Sequence, residues 1–237
     1  MFPETTVMKN ANHRTRVGAD RREKMRKRLI ESALLVFARV GVDGTVIDEV
    51  ISTAKVSRGT FYNYFRTNEE LLTAVAEEVG NQMLEVVDPV VREHTDPAVR
   101  VACGVRLTLM MARRYPQLAA FLGRVGPPAV GSHSLATEYL PRDLSAGMAT
   151  GRFSQIHPRL AFDLVSGPIL AAFHTLLTQP MPDTYPQQMA QAVLQSLGVA
   201  KTTARKLASL PLENIELGKD SLLARAQSRA AQLTSIL

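Results

Sequence analysis

The sequence of 237 residues contains no tryptophan, a single cysteine and few aromatic residues. One cysteine, Cys103, cannot form an internal disulfide and is typical of a reducing compartment. The five histidines are dispersed, with neither an H-x3-H spacing nor a cysteine pair, so no metal site is predicted. There is also no glycine-rich phosphate loop after a strand and no nucleophile elbow. The sequence therefore predicts no cofactor and argues against an enzyme.

Long apolar runs are missing as well. The first twenty residues are polar and lack the apolar stretch of roughly 7–15 residues that a secretory signal needs. No uninterrupted apolar segment reaches the length of about 20 residues that a membrane-spanning helix requires. Apolar residues recur at helical rather than strand spacing along most of the chain. We therefore expect an all-α, cytoplasmic protein without a membrane partner.

The charge is distributed unevenly along the chain. Residues 1–66 contain thirteen lysines and arginines against seven acidic residues, whereas residues 67–237 contain fifteen of each. The formal net charge of +6 therefore lies entirely on the N-terminal segment. Such localised positive charge provides affinity for the phosphates of a DNA duplex through counterion release. A basic face that is merely solvated would be expected to spread its charge more evenly.

Two short helices within this basic segment form the most specific motif. Apolar residues at i, i+3, i+4 and i+7 predict a helix over about 46–54, and a turn follows at Lys55. Ser57 stands at the N-cap of a second helix, in which Phe61 and Phe65 should face inward. This arrangement is typical of a helix-turn-helix, whose second helix fits a DNA major groove. An ordinary helical hairpin is the alternative, and the localised charge favours DNA binding.

The motif continues as a set of residues at fixed spacing. Its members are Thr45, Val50, Ile51, Ala54, Lys55, Val56, Ser57, Gly59, Thr60, Phe61, Tyr62, Tyr64, Phe65, Thr67, Asn68, Glu69, Glu70 and Leu71. This pattern resembles the DNA-binding signature of the TetR (TetR/AcrR) family of bacterial transcriptional regulators, and the resemblance covers residues 21–72. It implies a three-helix, N-terminal helix-turn-helix domain and a larger C-terminal helical domain for ligand binding and dimerisation.

The resemblance also implies roles for individual residues. Phosphate contacts are expected from Thr45, Tyr62 and Asn68, and Arg58 is the best candidate for reading a guanine. The full set of expected DNA-binding residues is Arg26, Arg28, Thr45, Lys55, Ser57, Arg58, Gly59, Thr60, Tyr62, Asn63 and Asn68. Tyr64 should instead be partly buried.

Three positions depart from the family pattern. Lys55 replaces the usual turn glycine, which costs about 1 kcal/mol if the backbone there is left-handed, and it adds a cation. Ile51 replaces a small alanine. Asn68 replaces a lysine that usually contacts phosphate, so its hydrogen bond would lack charge assistance.

For the rest of the chain the resemblance implies homodimerisation and a ligand cavity. Helices at about 158–177 and 185–197 would form the dimer, and the first of them is apolar on nearly all sides, as a covered interface requires. The candidate cavity residues are Met110, Met111, Phe121, Tyr139, Phe173 and His174, each of which could also be ordinary core. The chain is therefore expected to have four segments. Residues 1–20 form a flexible basic arm and residues 21–67 the helix-turn-helix domain. Residues 68–200 form the helical ligand-binding and dimerisation domain, and residues 201–237 a helical C-terminal extension.

The predicted function is that of a homodimeric repressor, which a small-molecule effector releases from a roughly palindromic operator in double-stranded DNA. The alternative is an architectural DNA-binding protein of the same fold without an effector. A void on the order of several hundred Å³ in the second domain would favour the repressor, and a closed core would favour the architectural protein. A ligand-binding module that has lost DNA binding conflicts with the localised charge.

Overall fold

In this computed structural model the described residues are 5–41, 46–125, 133–225 and 227–228. Within these ranges, the burial of side chains is described from residue 18 onward, except for residues 38 and 39. Within these ranges the chain forms α-helices and no strand, which confirms the all-α fold class. The helices are α1 (Thr5–Val40), α2 (Ile47–Ala54), α3 (Arg58–Tyr62), α4 (Asn68–Arg92), α5 (Pro97–Arg114), α6 (Pro116–Val125), α7 (Ala136–Ala149), α8 (Pro158–Thr178), α9 (Tyr185–Ser196) and α10 (Lys201–Ala208). Residues 222–225 add a further helical turn.

The chain divides into two compact units. The first comprises Met1–Leu71 and the second Leu72–Leu237, so the division falls inside α4. In the first unit, α1 buries an apolar face that consists of Leu29, Ile30, Ala33, Leu34, Val36 and Phe37. Gly41 ends α1 with φ 84°, and its N–H donates to the Phe37 carbonyl at 2.9 Å. A left-handed glycine at this place is a common helix terminator.

The start of α1 differs from the prediction. The helix begins at Thr5, so residues 5–20 of the segment that was expected to be a flexible basic arm are helical. Residues 5–20 contain no proline, and their one glycine, Gly18, costs a helix only about 1 kcal/mol relative to alanine. Because no residue in this stretch stops a helix, α1 extends through it.

The second unit is organised around α5. This helix packs against α6, α7, α8, α9 and α10, and most of its side chains are buried. Its N-cap, Asp96, accepts a hydrogen bond from the Ala98 N–H at 2.8 Å and pairs with Arg152 at 2.7 Å. Pro97 follows at the first helical position, where its missing N–H needs no partner.

The C-terminal extension packs onto the second unit. The Arg106 guanidinium of α5 donates to the Leu210 carbonyl, and the Tyr115 hydroxyl accepts from the Leu217 N–H at 3.3 Å. On α4, the Gln82 side-chain oxygen accepts from the N–H of Leu222 at 3.0 Å. The leucines at positions 217, 222 and 223 are buried. Residues 210–225 are therefore an integral layer of this unit.

The apolar helix α8 is less buried than its composition suggests. Among the described residues it is the one helix that is long and apolar enough to cross a membrane, judged by length and composition alone. Of the most apolar stretch of this helix, 22% is buried in the structure. The sequence had predicted no such segment, because Arg159 and Asp163 interrupt its apolar run. Ala161, Val165 and Phe173 face the interior, whereas the apolar residues Leu160 and Leu177 are exposed.

Candidate DNA-binding surface and ligand cavity

The turn between α2 and α3 has a left-handed backbone. Lys55 has φ 51° and ψ 51°, and it is the only residue other than glycine with a positive φ in the described ranges. Its N–H donates to the Ser52 carbonyl at 3.1 Å, and the Val56 N–H donates to Ile51 at 3.2 Å. These bonds satisfy two of the last four carbonyls of α2. The side chain of Lys55 is exposed, so the strained position presents a cation to solvent.

Ser57 caps α3, as predicted. Its hydroxyl oxygen accepts from the Thr60 N–H at 3.1 Å and lies 2.8 Å from the Thr60 hydroxyl. The exposed residues of this turn and helix are Lys55, Ser57, Arg58, Gly59, Tyr62 and Asn63, and Thr60 is half-buried. All of them were expected to contact DNA, and the fold leaves them accessible.

Two phenylalanines hold α3 in place. Phe61 and Phe65 are buried with ring centroids 6.1 Å apart, and the Tyr62 ring meets Phe61 edge-on at 5.5 Å while remaining 44% exposed. Tyr64 is half-buried, in agreement with its expected role in packing. The alternation of buried and exposed residues in this five-residue helix fixes which side can approach a partner.

Arg58 and Asp48 form an ion pair between α3 and α2. The Nη2 of Arg58 donates to the Oδ1 of Asp48, and both side chains are mostly exposed. Asp48 was not singled out from the sequence. The two residues are ten positions apart, and only the angle between the helices brings them together.

The remaining expected DNA contacts surround this helix pair. The guanidinium of Arg26 lies 5.8 Å from the centre of the Phe65 ring, and Arg28 is exposed on α1. Asn68, half-buried, begins α4. Thr45 lies outside the described residues.

Thr67 and Glu70 provide the capping contacts at the start of α4. The Thr67 hydroxyl accepts from the Glu70 N–H at 3.1 Å. The Glu70 carboxylate accepts from the N–H of Arg66 at 2.8 Å, one residue before the usual capping-box partner.

The second unit contains a cavity of about 140 Å³ between α4, α5, α7 and α8. Its lining is mainly aliphatic and includes Met83, Leu84, Val87, Val91, Val101, Val105, Leu122, Leu140, Val165, Ile169, Leu170 and Phe173. Gly80 and Gly104 also line it and contribute no side-chain volume. An apolar cavity of about 150 Å³ is large enough for one benzene ring. The space therefore suits a single small ring better than a long chain.

A charged cluster lies beside the cavity, and its members Asp88, Arg100 and Asp143 line it. Arg142 of α7 pairs with Asp88 of α4 at 2.7 Å and with Asp143 at 2.9 Å, and Arg100 of α5 pairs with Asp143 at 3.2 Å. Hydrogen bonds from Asp143 and Asp88 raise the pKa of Arg142 further above its ordinary value. Both carboxylates are buried, and two positive charges balance them. The cluster is thus a neutral, hydrogen-bonded group beside an apolar space.

Tyr139 extends this polar region. Its ring lies 5.4 Å from the guanidinium carbon of Arg142. Desolvation and the neighbouring carboxylate of Asp88 raise the pKa of its hydroxyl, so this group stays protonated at neutral pH. Ser134, Thr108 and Ser166 supply further hydroxyl groups to the lining.

Two of the six predicted cavity residues, Tyr139 and Phe173, line this cavity. The other four lie outside this lining. Met110 and His174 are exposed on the outer sides of α5 and α8, and Met111 and Phe121 are buried in core outside the lining. On α5 the lining residues follow one face from Arg100 to Thr108, and the cavity ends there.

No pattern in the sequence indicates the charged cluster. Its four members lie on three helices and appear in the sequence as ordinary surface charges; only the burial of Asp88 and Asp143 distinguishes them. No group of three or more potential metal ligands occurs among the residues for which side chains are described.

Comparison with known proteins places both units in one family. The model of bacterial regulatory proteins of the tetR family matches residues 29–75, and that of the tetracyclin repressor-like C-terminal domain matches residues 96–210. The structure of RolR in complex with its ligand resorcinol is similar, with a TM-score of 0.72 and 34% identity over 84% of this chain and 100% of RolR. The chain belongs to the TetR family. A TetR-family protein of this kind is a DNA-binding transcriptional regulator.

Curated relatives of this TetR-family protein are more distant. An uncharacterized HTH-type transcriptional regulator of Mycobacterium tuberculosis is 27% identical over 124 residues, which are 52% of this chain and 61% of the relative. The HTH-type transcriptional repressor DhaR of Mycobacterium sp. (strain GP1) is 27% identical over 79 residues, or 33% of this chain and 40% of DhaR. The matches thus cover less than two thirds of these relatives.

Proposed function

We propose that this TetR-family protein is a cytoplasmic, homodimeric repressor that leaves its operator when a small, neutral, hydroxylated aromatic compound binds the cavity of the second unit. The observation that carries the proposal is the cavity itself, which combines an aliphatic lining with a buried, charge-balanced polar cluster. The name of DhaR supports repression rather than activation.

The proposed DNA contacts come from the first unit. Arg58 would read a guanine, Gly59 would allow the DNA backbone to come close, and Thr60 would meet a base edge. Phosphate contacts would come from Arg26, Arg28, Thr45, Lys55, Ser57, Tyr62 and Asn68, with Asn63 near the bases. The exposure of most of these residues and the net charge of the segment support this assignment.

Dimerisation through α8 and α9 is supported by the exposed apolar side of α8. Leu160 is 50% exposed and Leu177 42%, and the exposed Gly167 and Ala171 are four residues apart. Small residues at this spacing allow two helices to approach closely, and a covered interface would remove the leucines from water. A two-fold dimer presents two copies of α3, which explains the expectation of a roughly palindromic operator.

The polar cluster supports a neutral ligand with hydroxyl groups. A carboxylate accepts about four hydrogen bonds, and Asp88 accepts two from Arg142, so acceptor sites remain for a ligand hydroxyl. An anionic ligand would add an unbalanced charge to a cluster whose charges already cancel. RolR is described in complex with resorcinol, a benzene ring with two hydroxyl groups, and this supports the same ligand class here.

Ligand and DNA binding would be coupled through α4. This helix begins in the first unit at Asn68 and lines the cavity from Gly80 to Val91. In the proposed dimer, operator binding requires a particular distance between the two α3 helices. A ligand that binds more tightly when this distance is wrong for DNA would weaken operator binding, with a coupling free energy of about 1–3 kcal/mol.

The cavity also bears on the architectural alternative. Its volume of about 140 Å³ is smaller than the void on the order of several hundred Å³ that would favour the repressor, yet the core is not closed. A void lined by both apolar and hydrogen-bonding groups favours an effector site over a purely structural domain.

The ligand hypothesis is tested by thermal shift of the full-length protein with resorcinol, phenol and benzoate. The neutral phenols should raise the unfolding temperature and the anionic benzoate should not, because ligands stabilise the state that binds them. Asp143→Asn should remove the shift. A shift with benzoate alone would contradict the proposed ligand class.

A further inference from the structure

The ion pair between Asp48 and Arg58 connects the two helices of the DNA-binding motif. Asp48 lies in the first turn of α2 and Arg58 is the first residue of α3, with the side chains 75% and 65% exposed. Exposed pairs of this kind contribute little to stability, because solvent screens them. The pair therefore matters little to the fold, and its location beside the proposed base-reading residue suggests another role.

We infer that Asp48 is a positioning residue that orients Arg58 and thereby sets sequence specificity. The inference rests on the proposed contact between Arg58 and a base. The arginine side chain has five N–H donors, and one of them, on Nη2, is engaged by Asp48. The remaining donors are sufficient for a bidentate contact with O6 and N7 of guanine. Holding the guanidinium in one orientation before DNA arrives reduces the entropy lost when that contact forms.

The carboxylate of Asp48 also has an effect on every DNA sequence. A negative charge beside the phosphates opposes binding, whatever the bases are. A cognate site offsets this penalty because the oriented Arg58 finds its guanine, whereas a random site does not. Specificity is a difference between two affinities, and a repulsive group that weakens the wrong complex increases it. Removing Asp48 should therefore strengthen binding to random DNA.

Glu49 provides a matched control. It is the next residue of α2, it is exposed, and it also lies in the first turn. Both carboxylates lie near the positive end of the helix dipole, so Glu49→Gln also removes one negative charge from this helix end. It does not remove the ion pair with Arg58.

The test uses the full-length protein and a duplex that the wild-type protein selects from a random library, with a scrambled duplex as reference. Dissociation constants are measured by fluorescence anisotropy at several stated salt concentrations. For Asp48→Asn we expect tighter binding to the scrambled duplex. The ratio of the dissociation constant for the scrambled duplex to that for the selected duplex should fall by roughly three- to tenfold, which is part of the discrimination that one base contact supplies. Asp48→Glu should retain most of the ratio, and so should Glu49→Gln.

The Arg58→Ala background separates the two levels of the inference. If Arg58→Ala lowers the ratio and Asp48→Asn lowers it no further in that background, the positioning role is supported. If Arg58→Ala lowers the ratio but Asp48→Asn alone leaves it unchanged, Asp48 has no such role although Arg58 reads a base. If Arg58→Ala itself leaves the ratio unchanged, both the base contact and the role of Asp48 are overturned. Circular dichroism of each variant establishes that the fold is retained.

Discussion

Replacing Lys55 by glycine should stabilise the first unit and weaken DNA binding at the same time. Lys55 has φ 51° and ψ 51°, a conformation that costs a residue with a Cβ about 1–2 kcal/mol. Glycine removes this strain, but its greater conformational entropy in the unfolded chain offsets about 0.5–1 kcal/mol of the gain in stability. The lysine side chain is exposed, so no packing is lost. The net gain in the free energy of unfolding is therefore about 0.5–1 kcal/mol.

Lys55→Ala separates the backbone strain from the charge. Alanine keeps the Cβ and hence the strain, so the stability of the first unit should not change, whereas both variants lose the same cation. Loss of one phosphate contact lowers the slope of log affinity against log salt by about 0.9. Both variants should therefore bind DNA more weakly by the same factor.

Hydrogen exchange of the amides in α2 and α3 is the appropriate assay for stability, because it reports on the first unit within the full-length protein. A gain of about 0.5–1 kcal/mol corresponds to roughly two- to fivefold slower exchange from the globally open state. Equal exchange rates in the glycine and alanine variants would refute the strain argument. An unchanged salt slope in both would refute the phosphate contact.

Three further substitutions or reactions test other parts of the structure. Gly59→Ala should keep or slightly raise stability, since an added Cβ would have only the Ser57 hydroxyl oxygen nearby, at 3.9 Å. It should weaken DNA binding, because the Cβ would lie where the DNA comes close to the backbone of α3; unchanged DNA affinity would contradict this close approach. Gly147→Ala should destabilise the second unit by about 1–3 kcal/mol in urea unfolding, because its Cβ would lie 2.0 Å from the buried Phe153 ring; wild-type stability would contradict that packing. Burial raises the pKa of Cys103 to about 11, so iodoacetamide at pH 8 should alkylate this thiol only after unfolding, and rapid labelling of the folded protein would disprove its burial.

The sequence was sufficient for the helices and for the DNA-binding motif because the signals there are local. The Ser57 cap, the Pro97 start of α5 and the Gly41 end of α1 each depend on residues within one turn of the helix. The start of α1 was misjudged because polar composition was taken as evidence for a loop, although no residue between Thr5 and Asp20 interrupts a helix.

The cavity depends on residues that are distant in the sequence, and here the predictions were least successful. Large flexible or aromatic residues such as Met110 and His174 were expected to line it, but the helix faces that meet are rich in valine and leucine. Arg142 and Asp88 are 54 positions apart and meet only after α4 and α7 pack together. No local pattern distinguishes such a buried pair from charges on the surface.

The central claim is that ligand binding in the second unit weakens DNA binding by the first. It is tested most directly by titrating the selected duplex with the protein in the absence and presence of saturating resorcinol, with calorimetry to establish that the ligand is bound. We expect about 5- to 150-fold weaker DNA binding with ligand, the same factor by which DNA should weaken ligand binding. Asp143→Asn should abolish the effect while leaving DNA affinity without ligand unchanged. If resorcinol binds the second unit and the DNA affinity stays the same, the claim is contradicted.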